Sequence, residues 1–243
     1  MKNTKKPVIG ITGPSQFTAQ VREMVSDFFG SIPLDINQNG YNDLKQIAEV
    51  CDGFIFAGGV DLFPATLDRE ILTGKGYSKF DRKRDLREIN LIKIAGEQGK
   101  SIFGICRGHQ MLLSNRGLYL IPDISGISDV CHSPREIETN NEPIHFVRGI
   151  GKGVAEFGER ELVNSYHHQA ILYGDKAKQN KEVEILGISS VSFARGENTG
   201  VKIVELARGD GFLSCQWHPE LDWKNVESSK KVLTMAKKMF NIE

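Results

Sequence analysis

Nowhere in this 243-residue chain does an apolar run approach the roughly 20 residues that a helix needs to cross the hydrocarbon core of a bilayer, which argues against a membrane-spanning helix. Net charge is missing as well, since 31 Lys and Arg offset 31 Asp and Glu. Without an excess of either sign no general field draws the chain onto nucleic acid or an anionic lipid surface, so the expected partner is a small molecule. Cysteine is scarce: Cys51, Cys106, Cys131 and Cys215 are the full complement. So few in a chain of this size read as free thiols of a reducing compartment, and a cytoplasmic location is expected. The basic start, residues 1–6, runs into Pro7, Gly10 and Gly13 where a secretory signal would carry a continuous apolar segment, so this stretch is not expected to be a signal peptide. Internal repeats and low-complexity linkers are absent too. Composition is otherwise ordinary, 40% hydrophobic and 26% charged, with length for one sizeable core, and residues 1–243 are expected to form a single domain.

What is present is an alternation of strand and helix patterns. Residues 8–13 are a short apolar run ending in glycine, followed by Phe17, Val21, Met24, Val25 and Phe28 at helical spacing. Residues 31–36 read as a second strand, and Asn42 and Asp43 offer an N-cap to a helix carrying Leu44, Ile47, Ala48 and Cys51, the last a core residue. Residues 53–57 are a third strand. Such alternation predicts a parallel sheet with helices on both faces, whose ligands sit at the carboxyl ends of the strands. Further strands are expected at 183–188, 201–206 and 212–216, the last two joined by a turn at 207–211. Val226, Leu233, Ala236 and Phe240 mark a closing amphipathic helix with lysines on its wet face.

Residues 101–110, Ser-Ile-Phe-Gly-Ile-Cys-Arg-Gly-His-Gln, form the stretch around which the chain is organised. Apolar residues suited to a buried strand lead into a cysteine flanked by Gly104 and Gly108, and Met111, Leu112 and Leu113 follow as the first apolar turn of a helix. A turn that tight needs backbone without Cβ atoms on either side of Cys106. The thiol then stands beside the unpaired N–H groups of a helix start, a setting that favours the thiolate. Alone, the segment fits a small buried cysteine equally well. Residues 215–220, Cys-Gln-Trp-His-Pro-Glu, decide the matter. At the end of a strand His218 and Glu220, at i and i+2, would share a face, and Pro219 forces extended backbone on His218. A base oriented by an acid, with an activatable thiol elsewhere, is the pattern of a Cys-His-Glu triad.

With Gly-Ile-Cys-Arg-Gly-His-Gln and Gln-Trp-His-Pro-Glu both present, the chain resembles the class I glutamine amidotransferase superfamily, and within it the γ-glutamyl hydrolase branch (peptidase C26) that includes γ-glutamyl-γ-aminobutyrate hydrolases. The resemblance implies a flavodoxin-like three-layer α/β fold with a mostly parallel central sheet. It implies a hydrolase in which Cys106 attacks the γ-amide of a small γ-glutamyl compound through a thioester, with His218 and Glu220 as its partners and no metal or organic cofactor. Arg107 after the cysteine, where many amidotransferase subunits carry Leu, favours the hydrolase branch. A glutaminase subunit passing ammonia to a separate synthetase is the alternative, and assembly as a homodimer stays open. A non-catalytic binding module of the same fold is the reading that the complete Cys106, His218 and Glu220 set argues against.

Other stretches carry the resemblance less evenly. Residues 57–64 resemble the family's Pro-Gly-Gly-Gly-Asp-Val-Asp-Pro, keeping Gly58, Gly59, Asp61 and Pro64 but departing at Ala57, Val60 and Phe63. Here the backbone N–H groups of Gly59 and Val60 would join that of Arg107 in an oxyanion hole, although a turn that merely needs two glycines is the plainer alternative. Residues 115–124 match the family's Gly-Gly-Thr-Leu-Tyr-Gln-Asp-Ile in part, with Leu118 in place of a glycine. Residues 163–169 match Val-Asn-Ser-x-His-His-Gln and make Ser165, His167, His168 and Gln169 substrate-binding candidates, with a purely structural loop left open. Gln110 could orient the scissile group or brace the oxyanion loop. Residues 81–88 resemble Asp-x-x-Arg-Asp-x-x-Glu; Arg84, Asp85 and Glu88 could fix a loop near the site or touch the substrate's far end, but mixed charge at a helix start is expected to be solvated. Cys131 with His132 fits no common zinc spacing, so no metal site is expected. His145 reads as a surface position of a strand.

Overall fold

In the computed structural model, which describes residues 5–36, 43–63, 80–124, 145–191 and 200–242, the amino-terminal half alternates as expected. β1 (Val8–Thr12), α1 (Ser15–Asp27), β2 (Ile32–Asp35), α2 (Leu44–Val50), β3 (Gly53–Phe56), α3 (Arg82–Glu97), β4 (Ser101–Ile105) and α4 (Arg107–Ser114) follow one another. Then come β5 (Leu120–Ile121), β6 (His145–Gly149), α5 (Gly153–Glu156), β7 (Arg160–Val163), β8 (Ala170–Leu172), α6 (Asp175–Gln179), β9 (Glu184–Val191), β10 (Val201–Gly209), β11 (Phe212–Cys215), α7 (Pro219–Asp222) and α8 (Glu227–Met239). Pairing runs β2-β1-β3-β4-β11-β10-β9-β6-β7, with β8 joined to both β10 and β5. From β2 to β11 neighbouring strands are parallel; beyond β11 they are antiparallel. The result is an α/β fold on a mixed sheet whose parallel part bears the site.

Side chains alternate across this sheet as the two-residue strand period demands. Phe54 and Phe56 face α2, α3 and α4 through Ile47, Ala48, Leu91, Ile92, Ala95 and Met111. Ile55 and Ala57 face the other way, into the layer that Val21, Met24 and Val25 of α1 and Val232, Leu233 and Ala236 of α8 close. Burying both faces suits near-continuous apolar strands such as β3 and β4. Asp43 caps α2, its carboxylate accepting from the Lys45 and Gln46 N–H groups at 2.8 and 3.3 Å. No helix among the described residues is long and apolar enough to cross a membrane.

Several local expectations change. Phe17 is exposed and Thr18 takes its place on the buried face of α1. The turn between the last two strands is shorter than 207–211, because β10 runs on to Gly209 and Gly211 supplies the positive φ of 66° that a tight reversal needs. His145 is buried, not a surface position: in β6 the inward residues are His145, Val147 and Gly149, while Phe146 faces out beneath the Arg160 guanidinium, 3.7 Å from its ring centroid. Alternation fixes the period of a half-buried strand, not its phase.

Candidate active site

The parallel strands end on one rim, and β4 delivers Cys106 there. Phe56 of β3 and Ser214 of β11 both pair with Gly104, and the chain turns two residues later. Cys106 takes φ 51° and ψ −102°, a conformation that L-residues avoid and that a packed surround must impose. Its N–H donates to the Cys215 carbonyl at 2.9 Å, and its own carbonyl accepts from Gln110 at 3.1 Å. The flanking glycines are needed for close approach. A Cβ on Gly108 would lie 2.2 Å from the Phe56 carbonyl oxygen, and one on Gly104 would lie 2.6 Å from Leu112 Cδ1. The Cys106 thiol is thus fixed at the amino end of α4 and almost wholly buried.

His218 reaches the same point from β11, but not along a strand. The strand stops at Cys215, His218 caps α7 and Pro219 opens it, so Glu220 sits in a helical first turn. The same-face strand geometry expected for His218 and Glu220 is therefore corrected, while the extended backbone imposed by Pro219 is present at φ −108° and ψ 81°. The two side chains still meet. His218 Nδ1 donates to Glu220 Oε1 at 2.7 Å, and Cys106 lies near enough to the ring to act on its charge. With Nδ1 taken, Nε2 is the nitrogen left for the sulfur. Burial works against a charged ring, but Glu220 and Cys106 outweigh it and hold the His218 pKa well above the usual imidazole value. Gly58 lets the ring in, since a Cβ there would stand 2.7 Å from its Cε1, and the Tyr166 ring meets it edge-on at 5.8 Å between centroids.

Beneath the loop that follows β3 lies a buried ion network. Arg84 donates to the Ala57 and Gly58 carbonyls at 2.7 and 3.0 Å and, through Nε, to Glu88 at 2.8 Å. Arg107 turns its side chain away from the rim to pair with both Glu88 and Asp85. Asp85 in turn accepts from the Phe63 N–H at 3.0 Å, and Thr12 donates to Glu88. The expected solvated helix start is overturned: Arg84, Asp85 and Glu88 are buried, because residues i, i+1 and i+4 form one helix face that here meets Arg107. Burial tends to raise the Glu88 carboxyl, yet Arg107 and Arg84 bring it below its usual value. The loop held this way contains Gly59, at φ 152°, and Val60, beside the His218 ring that rests on Gly58. Arg107 begins α4, where its N–H has no acceptor within the helix.

The 163–169 stretch packs against these elements. Gln110 Nε2 donates to the Gln169 carbonyl at 2.9 Å and to Gln216 Oε1 at 3.2 Å, so it braces the segment from inside. Gln169 Oε1 accepts from the Leu62 N–H at 3.2 Å, tying the segment to the loop after β3. His168 is the half-exposed member. Its Nε2 donates to Asp61 at 2.7 Å, and this bond, against the pull of burial, raises its pKa. His167 turns inward to the Gln169 carbonyl at 2.9 Å, and Ser165 is buried. Deeper still, Glu205 accepts from His145 at 3.0 Å and Ser189 at 2.7 Å. Among the described residues no group of three or more His, Cys, Asp or Glu side chains could hold a metal ion, and Cys131 and His132 lie outside those residues.

Sequence reasoning left three contributors unassigned: Tyr166, Asn164 and Asp222. Tyr166 was the variable position of its motif. Asn164 is wholly buried, accepts from the His218 N–H at 2.9 Å and donates to the His218 carbonyl at 2.8 Å and to Asp222 at 2.7 Å. The Asn-Ser pair was visible, but no rule of spacing connects it to a histidine 54 residues away.

A thiol, an imidazole and a carboxylate brought together at the carboxyl rim of a parallel sheet can carry out nucleophilic chemistry on a carbonyl. Sheet and rim together place the chain among the class I glutamine amidotransferase-like proteins. Solved structures share the fold: a glutamine amidotransferase from Thermotoga maritima superposes with a TM-score of 0.56 at 15% identity, covering 96% of this chain and 82% of that one. The glutaminase domain of Trypanosoma brucei CTPS, solved with bound acivicin, gives 0.58 at 13% identity over 96% and 93% of the two chains. The Peptidase C26 family profile matches residues 3–220, and the chain belongs to that family. Relatives include the glutamine amidotransferase-like protein YvdE of Lactococcus lactis, 30% identical over 83% of this chain and 78% of its own. Another is Rv2859c of Mycobacterium tuberculosis, provisionally named a glutamine amidotransferase, 30% identical over 95% of this chain and 75% of its own.

Proposed function

We propose that this protein is a cysteine-dependent hydrolase of small γ-glutamyl amides, with Cys106, His218 and Glu220 as its catalytic residues. The Cys106 sulfur attacks the γ-carbonyl carbon, a C–S bond forms, and the carbonyl electron pair moves onto oxygen. N–H groups of Gly59, Val60 and Arg107 stabilise that charge. As the tetrahedral carbon collapses the C–N bond breaks, and His218 gives its proton to the departing amine. Water then attacks the thioester while His218 takes a proton from it; glutamate leaves and the thiol returns. Glu220 keeps Nδ1 protonated, so that Nε2 works on the thiol, the amine and the water in turn. Ser165, His168 and Gln169 form the substrate side, with Gln110 and His167 bracing it. The observation that carries the reading is that one ring, His218, is bonded to Glu220 and has Cys106 near enough to act on its charge. Arg107, the residue that favours the hydrolase branch, has its side chain anchored to Asp85 and Glu88.

The second reading, a glutaminase subunit that hands ammonia to a separate synthetase, is favoured by the amidotransferase names of the relatives. Purified protein assayed alone with glutamine, γ-glutamyl-amines, glutathione and polyglutamylated folate separates the two. The hydrolase cleaves at least one γ-glutamyl amide beyond glutamine without a partner, and Cys106→Ala abolishes that turnover. Weak activity confined to glutamine overturns the proposal in favour of the subunit.

A further inference from the structure

His218 stands three residues beyond the end of β11, where the sheet no longer holds the backbone. Apart from the Leu221 N–H within its own helical turn, the bonds to its peptide groups come from Asn164. Asn164 follows directly on β7, the last strand on the sheet path, and opens the segment that carries Ser165, His167, His168 and Gln169. Its amide orientation is fixed by chemistry. The His218 N–H can only donate, so Oδ1 must face it, and Nδ2 then points at the His218 carbonyl and at Asp222. Asp222 is itself buried on α7, so the amide is held from behind.

We infer that Asn164 is a positioning residue for the proposed base: by holding both peptide groups of His218 it sets the imidazole between Cys106 and Glu220, and it ties that placement to the seating of the 164–169 segment. The inference rests on the hydrolase reading only for its turnover measurements. The side-chain hydrogen bonds of Asn164 go to the peptide groups of His218 and to Asp222, not to the thiol or the ring, so its effect passes through the place of the base. Misplacing a catalytic group by about 1 Å can cost on the order of 100-fold in rate.

The test uses the full chain in four variants, Asn164→Ala, Asn164→Asp, Asp222→Ala and Asp222→Asn. Turnover is followed on γ-glutamyl-p-nitroanilide, and alkylation of Cys106 by iodoacetamide at neutral pH is followed by mass. Asn164→Ala is expected to lose about 100-fold in kcat with KM within about threefold, and to slow Cys106 alkylation about tenfold, because the imidazole no longer meets the sulfur. Asn164→Asp, which sets an oxygen against the His218 carbonyl and Asp222, is expected to be at least as impaired. Asp222→Asn keeps an acceptor for Nδ2 and stays within about threefold of wild type, whereas Asp222→Ala falls about tenfold. A folded Asn164→Ala with wild-type kcat and alkylation overturns the inference. Should that variant fail to fold, equal kcat in Asp222→Ala and Asp222→Asn overturns it instead. If wild type cleaves no γ-glutamyl amide, the functional reading fails, and the iodoacetamide rates alone decide the role of Asn164.

Discussion

On the side of the site built by β3, β4 and α3, position is enforced by charge and backbone strain: four ionised side chains lie buried under the loop after β3, and Cys106 is held at a positive φ. On the side built by β7, β11 and α7, position is enforced by side-chain hydrogen bonds to the backbone, Asn164 on His218 and Gln110 on Gln169. The difference follows from what each must hold. A nucleophile on a tight elbow needs a rigid bed, and buried ion pairs are rigid because breaking one strands its partner. On the proposed mechanism, a base that serves sulfur, amine and water in turn needs its backbone fixed and its ring served by a single carboxylate. The first side therefore couples to global stability and the second to turnover.

The largest break in that contrast is Arg107→Leu, the residue many amidotransferase subunits carry after the cysteine. Here it would leave Asp85 and Glu88 with Arg84 alone, and stranding a buried charge costs about 3–5 kcal/mol. Urea unfolding should show a loss of that order, with part of it recovered on adding Asp85→Asn. A loss below about 1 kcal/mol would mean that the network is not coupled to stability as argued. Glu220→Gln probes the other side. It keeps the shape and loses the charge beside Nδ1, so kcat should fall about 100-fold while the urea midpoint moves little. A large midpoint shift with unchanged kcat would erase the distinction between the two sides.

How far the chain announces these arrangements differs between them for physical reasons. The Cys106 elbow is legible because its causes are local: an apolar strand, two residues without Cβ and an apolar helix start within residues 101–113. His218 with Glu220 was legible as a pair though not in its geometry, since His-Pro-Glu suits a helix N-terminus at least as well as a strand end. Arg84, Asp85 and Glu88 declare a common helix face, but whether that face is wet depends on Arg107, 19 residues from Glu88. His145 shows the same limit in a strand. Its neighbour Phe146 is the larger apolar residue and would ordinarily point inward, but Glu205 supplies a buried partner for the imidazole and Arg160 covers the outward ring.

His109 sharpens the comparison with a group that belongs to neither side's chemistry. It lies buried under α4, Nε2 donating to the Val204 carbonyl at 3.1 Å, which leaves Nδ1 to accept from the Ser214 hydroxyl at 2.9 Å. That arrangement fits the neutral ring, and burial lowers its pKa from 6.5 to about 4. The unfolded chain therefore binds the extra proton first. Stability from this group is complete above about pH 6.5 and is lost as pH falls toward about 4, by up to about 3 kcal/mol. Urea unfolding across that window should show the decline in wild type and a flatter profile in His109→Gln, which cannot take up the proton. An unchanged profile in the variant would assign acid sensitivity to other groups.

Asp222 carries the smallest expected effect and the opposite sign. Burial raises its carboxyl from 3.8 to about 6, despite the nearby Ser229 hydroxyl and the bond from Asn164, which favour the charge. The folded state holds this proton more tightly than the unfolded one, so the group favours folding most below about pH 3.8 and loses that contribution as pH rises through about 6. At neutral pH the ionised carboxylate is thus a cost of folding, tolerated where it orients Asn164. Replacing it in Asp222→Asn should raise stability by about 1 kcal/mol above pH 6, less than the full linkage value because charge-assisted hydrogen bonds become neutral ones. The gain should shrink toward zero near pH 4, where the wild-type carboxyl is already protonated. A gain of the same size at both pH values would place its origin in packing and not in the buried charge.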